Sequence, residues 1–371
     1  MPAIDSFPEV DTPSVMVDKD VLLTNIEKMS SFARNHGVHL RPHVKAHKTV
    51  EIAKIQREMG ANGLCVAKLD EAEAMAAVGF SDILVAYELV GQQKLERLLY
   101  LTEKVSITVL VDSIPAAKAL SQAATSRSKV IPCLIEVDSG LGRTGVPPGK
   151  PALELALSLL KYPGLKLKGL LTHAGHAYAA RNRSELELIG RGEAEALLST
   201  AALLRQAGIG SAVLSVGSTP TVRISGAVTG INEIRPGNYV FNDATQVALG
   251  VARREDCALS VLTTVISRPT PDRIVIDAGG KTLALDRGAH GISQLPGYGL
   301  VKNHQGFVIE RLSEEHGIVS LPPESPVTVG DRLEVIPNHA CPVVNLTDTL
   351  YVHENHRVVN QWRVTARGGV R

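Results

Sequence analysis

The sequence predicts an α/β chain: a closed (β/α)8 TIM-type barrel followed by a C-terminal antiparallel β domain. Two observations carry the prediction. Between about residue 22 and about residue 250, short apolar runs rich in β-branched side chains alternate with longer helical stretches, about eight times over. Near-continuous apolar strands between helices imply a parallel sheet covered on both faces, and eight such units suit a ring. Beyond about residue 250 the texture changes to strands divided by Pro, Gly and Asp turns, with no convincing amphipathic helix. A doubly wound sheet is the alternative for the first part, but no Gly-x-Gly-x-x-Gly follows its first strand.

The elements follow in order. Residues 14–17 read as a strand and 22–38 as an amphipathic helix. Strand–helix pairs come next at 63–67 and 69–78, 82–86 and 92–101, 105–111 and 114–124, 130–137 and 151–160, and 167–171 and 183–207. Strands at 212–215 and 233–235 complete the series. In the second part, 261–266, 273–277, 306–312, 332–336 and 357–367 read as strands. The expected division is a barrel over 20–250 and a β domain over 251–371. Repeats and low-complexity segments are absent from the sequence.

With 371 residues the chain has room for two domains. A hydrophobic share of 44% and a charged share of 21% describe an ordinary soluble globular protein. A net charge of +1 gives no electrostatic case for nucleic acid or an anionic membrane. Only 4% of residues are aromatic, too few for a base-stacking platform. Apolar runs such as 83–87 are too short to span a bilayer. Residues 1–11 carry three acidic side chains and no apolar stretch of the signal-peptide kind. Cys65, Cys133, Cys257 and Cys341 are widely scattered, which argues against a disulfide framework and fits a reducing cytoplasm.

The chemistry-bearing groups are few. Arg41-Pro42-His43-Val44-Lys45-Ala46-His47-Lys48 sets five basic side chains in eight residues. Like-charge repulsion in such a crowd is expected to lower a lysine's pKa and so yield a nucleophilic amine at neutral pH. Composition alone reads the same run as a basic surface loop. Gly217-Ser218-Thr219-Pro220-Thr221 follows an expected strand. A Gly-Ser-Thr turn there offers N–H groups and hydroxyls to a phosphate, although by itself it is also an ordinary polar turn. In the run from Asp138 to Gly145, small neighbours let Arg143 reach inward. His173 and His176 flank Gly175 after a strand, and either can take or give a proton near neutral pH. Tyr178 is a candidate wall for a flat ring, and Asn238-Tyr239 is a second candidate contact.

His339 and Cys341 follow the strand at 332–336 and are expected to continue extended. Residues two apart in a strand point to one side, so an imidazole and a thiolate there can grip one metal ion. A soft thiolate favours Zn²⁺ over Mn²⁺ or Mg²⁺, and two protein ligands leave positions open for substrate. Cys65, Cys133 and Cys257 read as core thiols, and Glu314, Glu315 and His316 as structural.

Taken in order, these pieces resemble the pyridoxal-phosphate-dependent D-threonine aldolase and D-serine dehydratase family. The likeness recurs along nearly the whole chain. It includes Thr12-Pro13, the basic octet, Glu136-Val137-Asp138-Ser139-Gly140-Leu141-Gly142-Arg143-Thr144-Gly145 and Thr172-His173-Ala174-Gly175-His176-Ala177-Tyr178. It continues with Gly217 to Thr221, Arg235-Pro236-Gly237-Asn238-Tyr239-Val240-Phe241, Ser313-Glu314-Glu315-His316-Gly317 and Pro337-Asn338-His339-Ala340-Cys341-Pro342. The resemblance implies a fold-type III enzyme similar in architecture to alanine racemase, with the strand from residues 1–19 joined to the β domain. It implies that Lys45 carries pyridoxal 5'-phosphate and that Arg143 meets the cofactor's phenolic oxygen. Gly217, Ser218 and Thr219 would hold its phosphate, and Tyr178 and Tyr239 would contact it. His339 and Cys341 would hold a divalent metal, Zn²⁺ or Mn²⁺, or else Mg²⁺. A homodimer is implied as well, with the site where one subunit's barrel mouth meets the other's β domain.

The implied substrate is a small D-3-hydroxy amino acid. In a retro-aldol cleavage His173 or His176 takes the hydroxyl proton, and glycine and an aldehyde result. In the alternative, a dehydration of D-serine or D-3-hydroxyaspartate, Lys45 takes the Cα proton, and a keto acid and ammonia result. Two residues pull apart here. Ala46 fits the aldolases, whereas Cys341 is the residue of the dehydratases and stands where some aldolases have aspartate. The expected activity is of the D-threonine aldolase type. A metal-free amino-acid racemase or a cofactor-binding regulatory protein is the third reading, and neither has a use for His339 with Cys341.

Overall fold

The computed structural model describes residues 7–289 and 295–371. It divides into two compact units. One comprises Lys28–Lys45, Ile52–Gly237 and Gly369–Arg371, and the other Met1–Glu27, Ala46–Glu51 and Asn238–Gly368. Residues 238–250, read from the sequence as barrel, therefore belong to the second unit.

Strand β1 (Ser14–Asp18) and helix α1 (Lys19–His36) open the chain. Eight parallel strands then form the sheet of the first unit. They are β2 (His39–Leu40), β3 (Leu64–Val66), β4 (Asp82–Glu88), β5 (Ser106–Val111), β6 (Ile131–Val137), β7 (Leu165–Thr172), β8 (Val213–Val216) and β9 (Glu233–Ile234). Neighbours pair in order from β3 to β9, and β9 pairs with β2. A parallel bridge between His43 and Cys65 joins the segment after β2 to β3, and the ring closes. The sequence reading did not separate β2 from its surroundings, because two residues between a helix and a basic run carry no apolar pattern.

Helices α2 (Val50–Glu58), α3 (Leu69–Ala76), α4 (Gln92–Leu101), α5 (Ile114–Ser126), α6 (Lys150–Leu159) and α7 (Arg183–Gln206) alternate with the strands. Their sequences explain them. In α6, Ala152, Leu155, Ala156 and Leu159 fall on one face and are buried. Each such leucine contributes about 2 kcal/mol by leaving water. Asn182 caps α7 by accepting the Glu185 N–H at 2.9 Å. Inside the ring, Cys65, Leu84, Leu110, Leu134 and Leu171, one from each of β3 to β7, pack as a single layer. Burial pushes the Cys65 and Cys133 thiols up to about 12, as expected of inert core cysteines.

The second unit is built on one large sheet. Its strands beyond β1 are β10 (Leu259–Thr270), β11 (Arg273–Ile276), β12 (Leu300–Val301), β13 (Val308–Leu312), β14 (Gly317–Ser320), β15 (Arg332–Ile336), β16 (Thr349–Glu354) and β17 (Arg357–Arg363). The order is β13-β14-β11-β10-β1-β16-β17, with β15 pairing β10 and β12. The sheet is mixed: β1 runs antiparallel to β10 but parallel to β16. It also carries a helix, Ala340–Leu346, which the sequence reading did not expect. That helix has only seven residues, too few to show a periodicity. Among the described residues no helix is long and apolar enough to cross a membrane.

One ion-pair network ties the ring together. Arg41 donates from Nε to Glu233 at 2.8 Å, and from Nη1 and Nη2 to the two Asp82 oxygens at 2.9 and 3.0 Å. Asp82 begins β4 and Glu233 begins β9, so one cation joins three strands' ends. Burial works against the charge, but the two carboxylates outweigh it and hold the guanidinium pKa above its ordinary value. Gly63 makes room for it, since a Cβ there would lie 2.4 Å from Arg41 Nη1. Arg41→Ala strands the buried Glu233 charge and is expected to cost about 3 kcal/mol of stability in chemical denaturation. A loss within error of zero would contradict this role.

Candidate functional site

The closed ring ends all eight strands on one rim, and the sequence-selected residues of the barrel lie just past those ends. Lys45 sits in a 3-10 turn, Val44–Ala46, after β2. Arg143 follows β6, His173 and His176 follow β7, and Ser218 and Thr219 follow β8; Arg235, to which the sequence reading gave no role, follows β9. Their closeness is written in the electrostatics of His43. Burial, and then the basic groups Lys45, Arg235, His173 and Arg143 in that order, push its pKa well below the ordinary histidine range. A neutral His43 agrees with its Nδ1 accepting the Lys45 N–H at 3.4 Å.

The basic octet therefore does not act as one cationic crowd. Arg41 is neutralised by Asp82 and Glu233, and His43 is uncharged. Lys48 reaches the Ala366 carbonyl from a backbone of positive φ. The cations that remain together at the rim are Lys45, Arg143 and Arg235.

The phosphate-turn candidate is rigidly seated. Glu193, in the middle of α7 and fully buried, accepts the Gly217 N–H at 3.1 Å and the Ala174 N–H at 3.2 Å on one oxygen. Its other oxygen accepts from Thr221 Oγ1 at 2.7 Å. Burial raises the Glu193 pKa, and these donors work against the rise. Gly217 thus spends its N–H on Glu193, and its carbonyl meets His173 Nδ1. Ser218 is the donor left over: its Oγ is buried with no hydrogen-bond partner. A phosphate oxygen suits that hydroxyl.

His173 donates from Nδ1 to the Gly217 carbonyl, so in the neutral ring Nε2 carries the lone pair. The Nδ1 of His176 is buried with no hydrogen-bond partner. Gly140 makes room for this ring, for a Cβ there would lie 3.2 Å from Nε2. Tyr178 is buried in the 3-10 turn Gly175–Ala179. Arg235 donates to Ser215 Oγ at 2.5 Å and to the Thr172 carbonyl at 2.6 Å, deep in the ring. Tyr239 belongs to the other unit, in the turn Asn238–Val240.

The second unit holds the metal-ligand candidates. His339 is not in a strand; it caps the helix Ala340–Leu346, and Cys341 stands in the first turn. The two side chains are nevertheless close enough for Cys341 to act on the His339 ring. Burial alone would lower the His339 pKa, but Cys341, Asp286 and Asp243 outweigh it and raise it to about 10. Asp286 Oδ2 lies 2.8 Å from His339 Nδ1, which orients the ring and reserves Nε2 for a ligand. Asp243, buried, accepts from Ala340 N at 3.0 Å and Asn238 Nδ2 at 2.5 Å and so fixes the cap. Among the described residues no group of three or more His, Cys, Asp or Glu is arranged around one metal position. The donor set is a pair, and it fits a borderline-soft divalent ion that keeps open positions. Glu314 and Glu315 form ion pairs with Lys281 at the surface.

Comparison with known proteins agrees with both halves. The family described as "Alanine racemase, N-terminal domain" matches residues 17–245, and "Putative serine dehydratase domain" matches residues 258–353. The D-threo-3-hydroxyaspartate dehydratase of Delftia sp. (strain HT23) is 36% identical, over 91% of this chain and 92% of its own length. The chain belongs to the D-threonine aldolase and D-serine dehydratase family of fold-type III pyridoxal-phosphate enzymes. Within that family it is also 35% identical to the D-threonine aldolase of Arthrobacter sp., over 98% and 94% of the two chains. A cysteine-to-alanine variant of D-threo-3-hydroxyaspartate dehydratase, solved in a metal-free form, superimposes with a TM-score of 0.90. It shares 33% identity over 97% of this chain and 99% of that one.

Sequence reasoning passed over His43, Glu193, Asp243 and Asp286. His43 and Asp243 lie within or beside quoted motifs, so their neighbours drew the attention. Glu193 and Asp286 carry no local pattern at all. Glu193→Gln replaces one of two fully used acceptor oxygens by an NH₂ group. It is expected to cost about 2 kcal/mol in thermal or chemical denaturation. Wild-type stability in this variant would show that Glu193 does not seat the turn.

Proposed function

We propose that this chain is a pyridoxal-phosphate- and divalent-metal-dependent lyase acting on small D-3-hydroxy amino acids. The observation that carries the reading is the gathering of Lys45, Arg143, His173 and Arg235 around a neutral His43 on the rim, with an unpartnered Ser218 hydroxyl beside the Glu193-seated turn. Lys45 is the amine that holds the cofactor. Ser218 and Thr219 take its phosphate, Arg143 its phenolic oxygen, and Tyr178 and Tyr239 are its aromatic contacts. His339 Nε2 and Cys341 Sγ hold the metal, Zn²⁺ first and Mn²⁺ or Mg²⁺ after it. When bound, the cofactor serves as an electron sink and the metal as a Lewis acid on the substrate's hydroxyl.

The chain's own groups then divide the work. Lys45 releases and takes back a proton at Nζ as substrate enters and product leaves. His173, whose Nδ1 donates to the Gly217 carbonyl so that Nε2 carries the lone pair of the neutral ring, or His176 accepts the proton of the substrate's 3-hydroxyl. Retro-aldol cleavage to glycine and an aldehyde is the first reading, supported by this pair of bases and by Ala46 after Lys45. Dehydration to a keto acid and ammonia is the second. Cys341 favours it, since a cysteine sulfur stands beside the histidine and the metal-free dehydratase relative is a cysteine variant. The protein acts as a homodimer in the cytoplasm.

Borohydride reduction of the purified, yellow protein is expected to fix the cofactor on Lys45, read by peptide mapping. A label on Lys48, or no bound cofactor, would refute the assignment. Chelation is expected to lower turnover by several kcal/mol in barrier while the visible absorbance of the cofactor stays. Re-addition of Zn²⁺ or Mn²⁺ should restore wild type and leave His339→Ala inactive. Full activity after chelation would remove the metal from the mechanism.

A further inference from the structure

The residue just before His339 has a buried side chain with an uneven set of partners. Asn338 Nδ2 donates to the Gly297 carbonyl at 2.9 Å and to the Asp286 carbonyl at 3.3 Å. Its Oδ1 is buried with no hydrogen-bond partner. Turning the amide over would set that oxygen against two carbonyls, so the NH₂ group is the part the fold uses. The main chain at Asn338 is itself pinned. Its carbonyl accepts from Thr245 Oγ1 at 2.5 Å and from the Thr245 N–H at 3.3 Å, and the Pro337 carbonyl accepts the Ala244 N–H at 3.0 Å. One fixed amide thus binds the main chain at residues 286 and 297 together. Position 297 needs its glycine, because φ is +83° and a Cβ would run into the Ile309 carbonyl.

We propose that Asn338, acting through Asp286, is a positioning residue for His339. Asp286 Oδ2 lies 2.8 Å from His339 Nδ1. A histidine whose Nδ1 is held by a carboxylate is turned so that Nε2 is its ligand atom. Where that carboxylate stands depends on where the main chain of residue 286 stands. Among the described residues, the bond from Asn338 Nδ2 is the only one to the Asp286 main chain. Asn338 and His339 are neighbours, so the ring and the group that braces its partner are set by one stretch of chain. The chemistry demands an amide. Aspartate at this position would have no N–H to give and would face two carbonyl oxygens. Leucine would fill the space and donate nothing.

This role rests on the proposed metal site only for its effect on the ion, so the first test uses none. In metal-free, ¹⁵N-histidine-labelled protein, the His339 Nδ1–H is expected to give a slowly exchanging signal, because a carboxylate holds it. Asp286→Ala should remove that protection, and Asn338→Asp and Asn338→Leu should lose most of it. Zn²⁺ affinity, measured by competition with a chromogenic chelator, should fall roughly 10–100-fold in each Asn338 variant. Asp286→Ala should lose about as much, and the double variant no more, since the two residues act in series. Chemical denaturation separates a merely structural role. Stability lost while the Nδ1–H signal and Zn²⁺ affinity keep their wild-type values overturns the proposal, as does a double variant that loses the sum of the two effects. Asn338→Asp has the size of the native residue and decides the matter if Asn338→Leu does not fold. Failure of the metal reading looks different: His339→Ala would then bind Zn²⁺ like wild type, while the Nδ1–H signal of the native ring still depends on Asn338.

Discussion

The guanidinium of Arg41 lies between the carboxylates of Asp82 and Glu233, and the closed ring of parallel strands depends on that contact. The same Glu233 accepts from Ser215 Oγ at 2.6 Å, and Arg235 donates to that hydroxyl and to the Thr172 carbonyl. One chain of charged and polar groups thus runs through the ring to the rim. Closure has a chemical consequence. Because every strand points the same way, side chains far apart in sequence end on one surface. Lys45, Arg143, His173 and Ser218 owe their meeting to this geometry and not to any local motif.

The rim is also held from outside the ring. Glu193 reaches from α7 to the loops after β7 and β8 and uses both oxygens to do so. A carboxylate buried this completely costs desolvation energy, which the donors around it offset. The return is a turn whose backbone is already fixed, with the buried Ser218 hydroxyl left without a hydrogen-bond partner. The second unit follows the same logic at the His339 cap, where Asp286 and Asp243 fix the ring and the helix start that carry His339 and Cys341.

The sequence made the barrel legible because a parallel sheet buried on both faces leaves continuous apolar runs between helices. It hid β2, since a two-residue strand leaves no run to see. The basic octet invited an argument from crowded charge that the fold undoes. The partners that disperse it, Asp82, Glu233 and the Ala366 carbonyl, come from distant parts of the chain. At His339 and Cys341 the two side chains do meet, but through a helix cap where a strand was expected. Spacing of two residues suits both geometries, so the residues were visible and their backbone was not. Glu193 and Asp286 illustrate the remaining gap: an acidic residue in a helix or loop looks the same in sequence whether or not it holds a site together.

The central claim is that the barrel unit grips the cofactor through Lys45 while His339 and Cys341 of the other unit grip a metal. A crystal structure of the loaded enzyme, with anomalous data collected at the metal absorption edges, tests it most directly. Continuous density is expected from Lys45 Nζ to the cofactor, with its phosphate on Ser218. An anomalous peak is expected about 2.0–2.3 Å from His339 Nε2 and Cys341 Sγ. Density joined to a different lysine, or an anomalous peak away from that pair, would contradict the account.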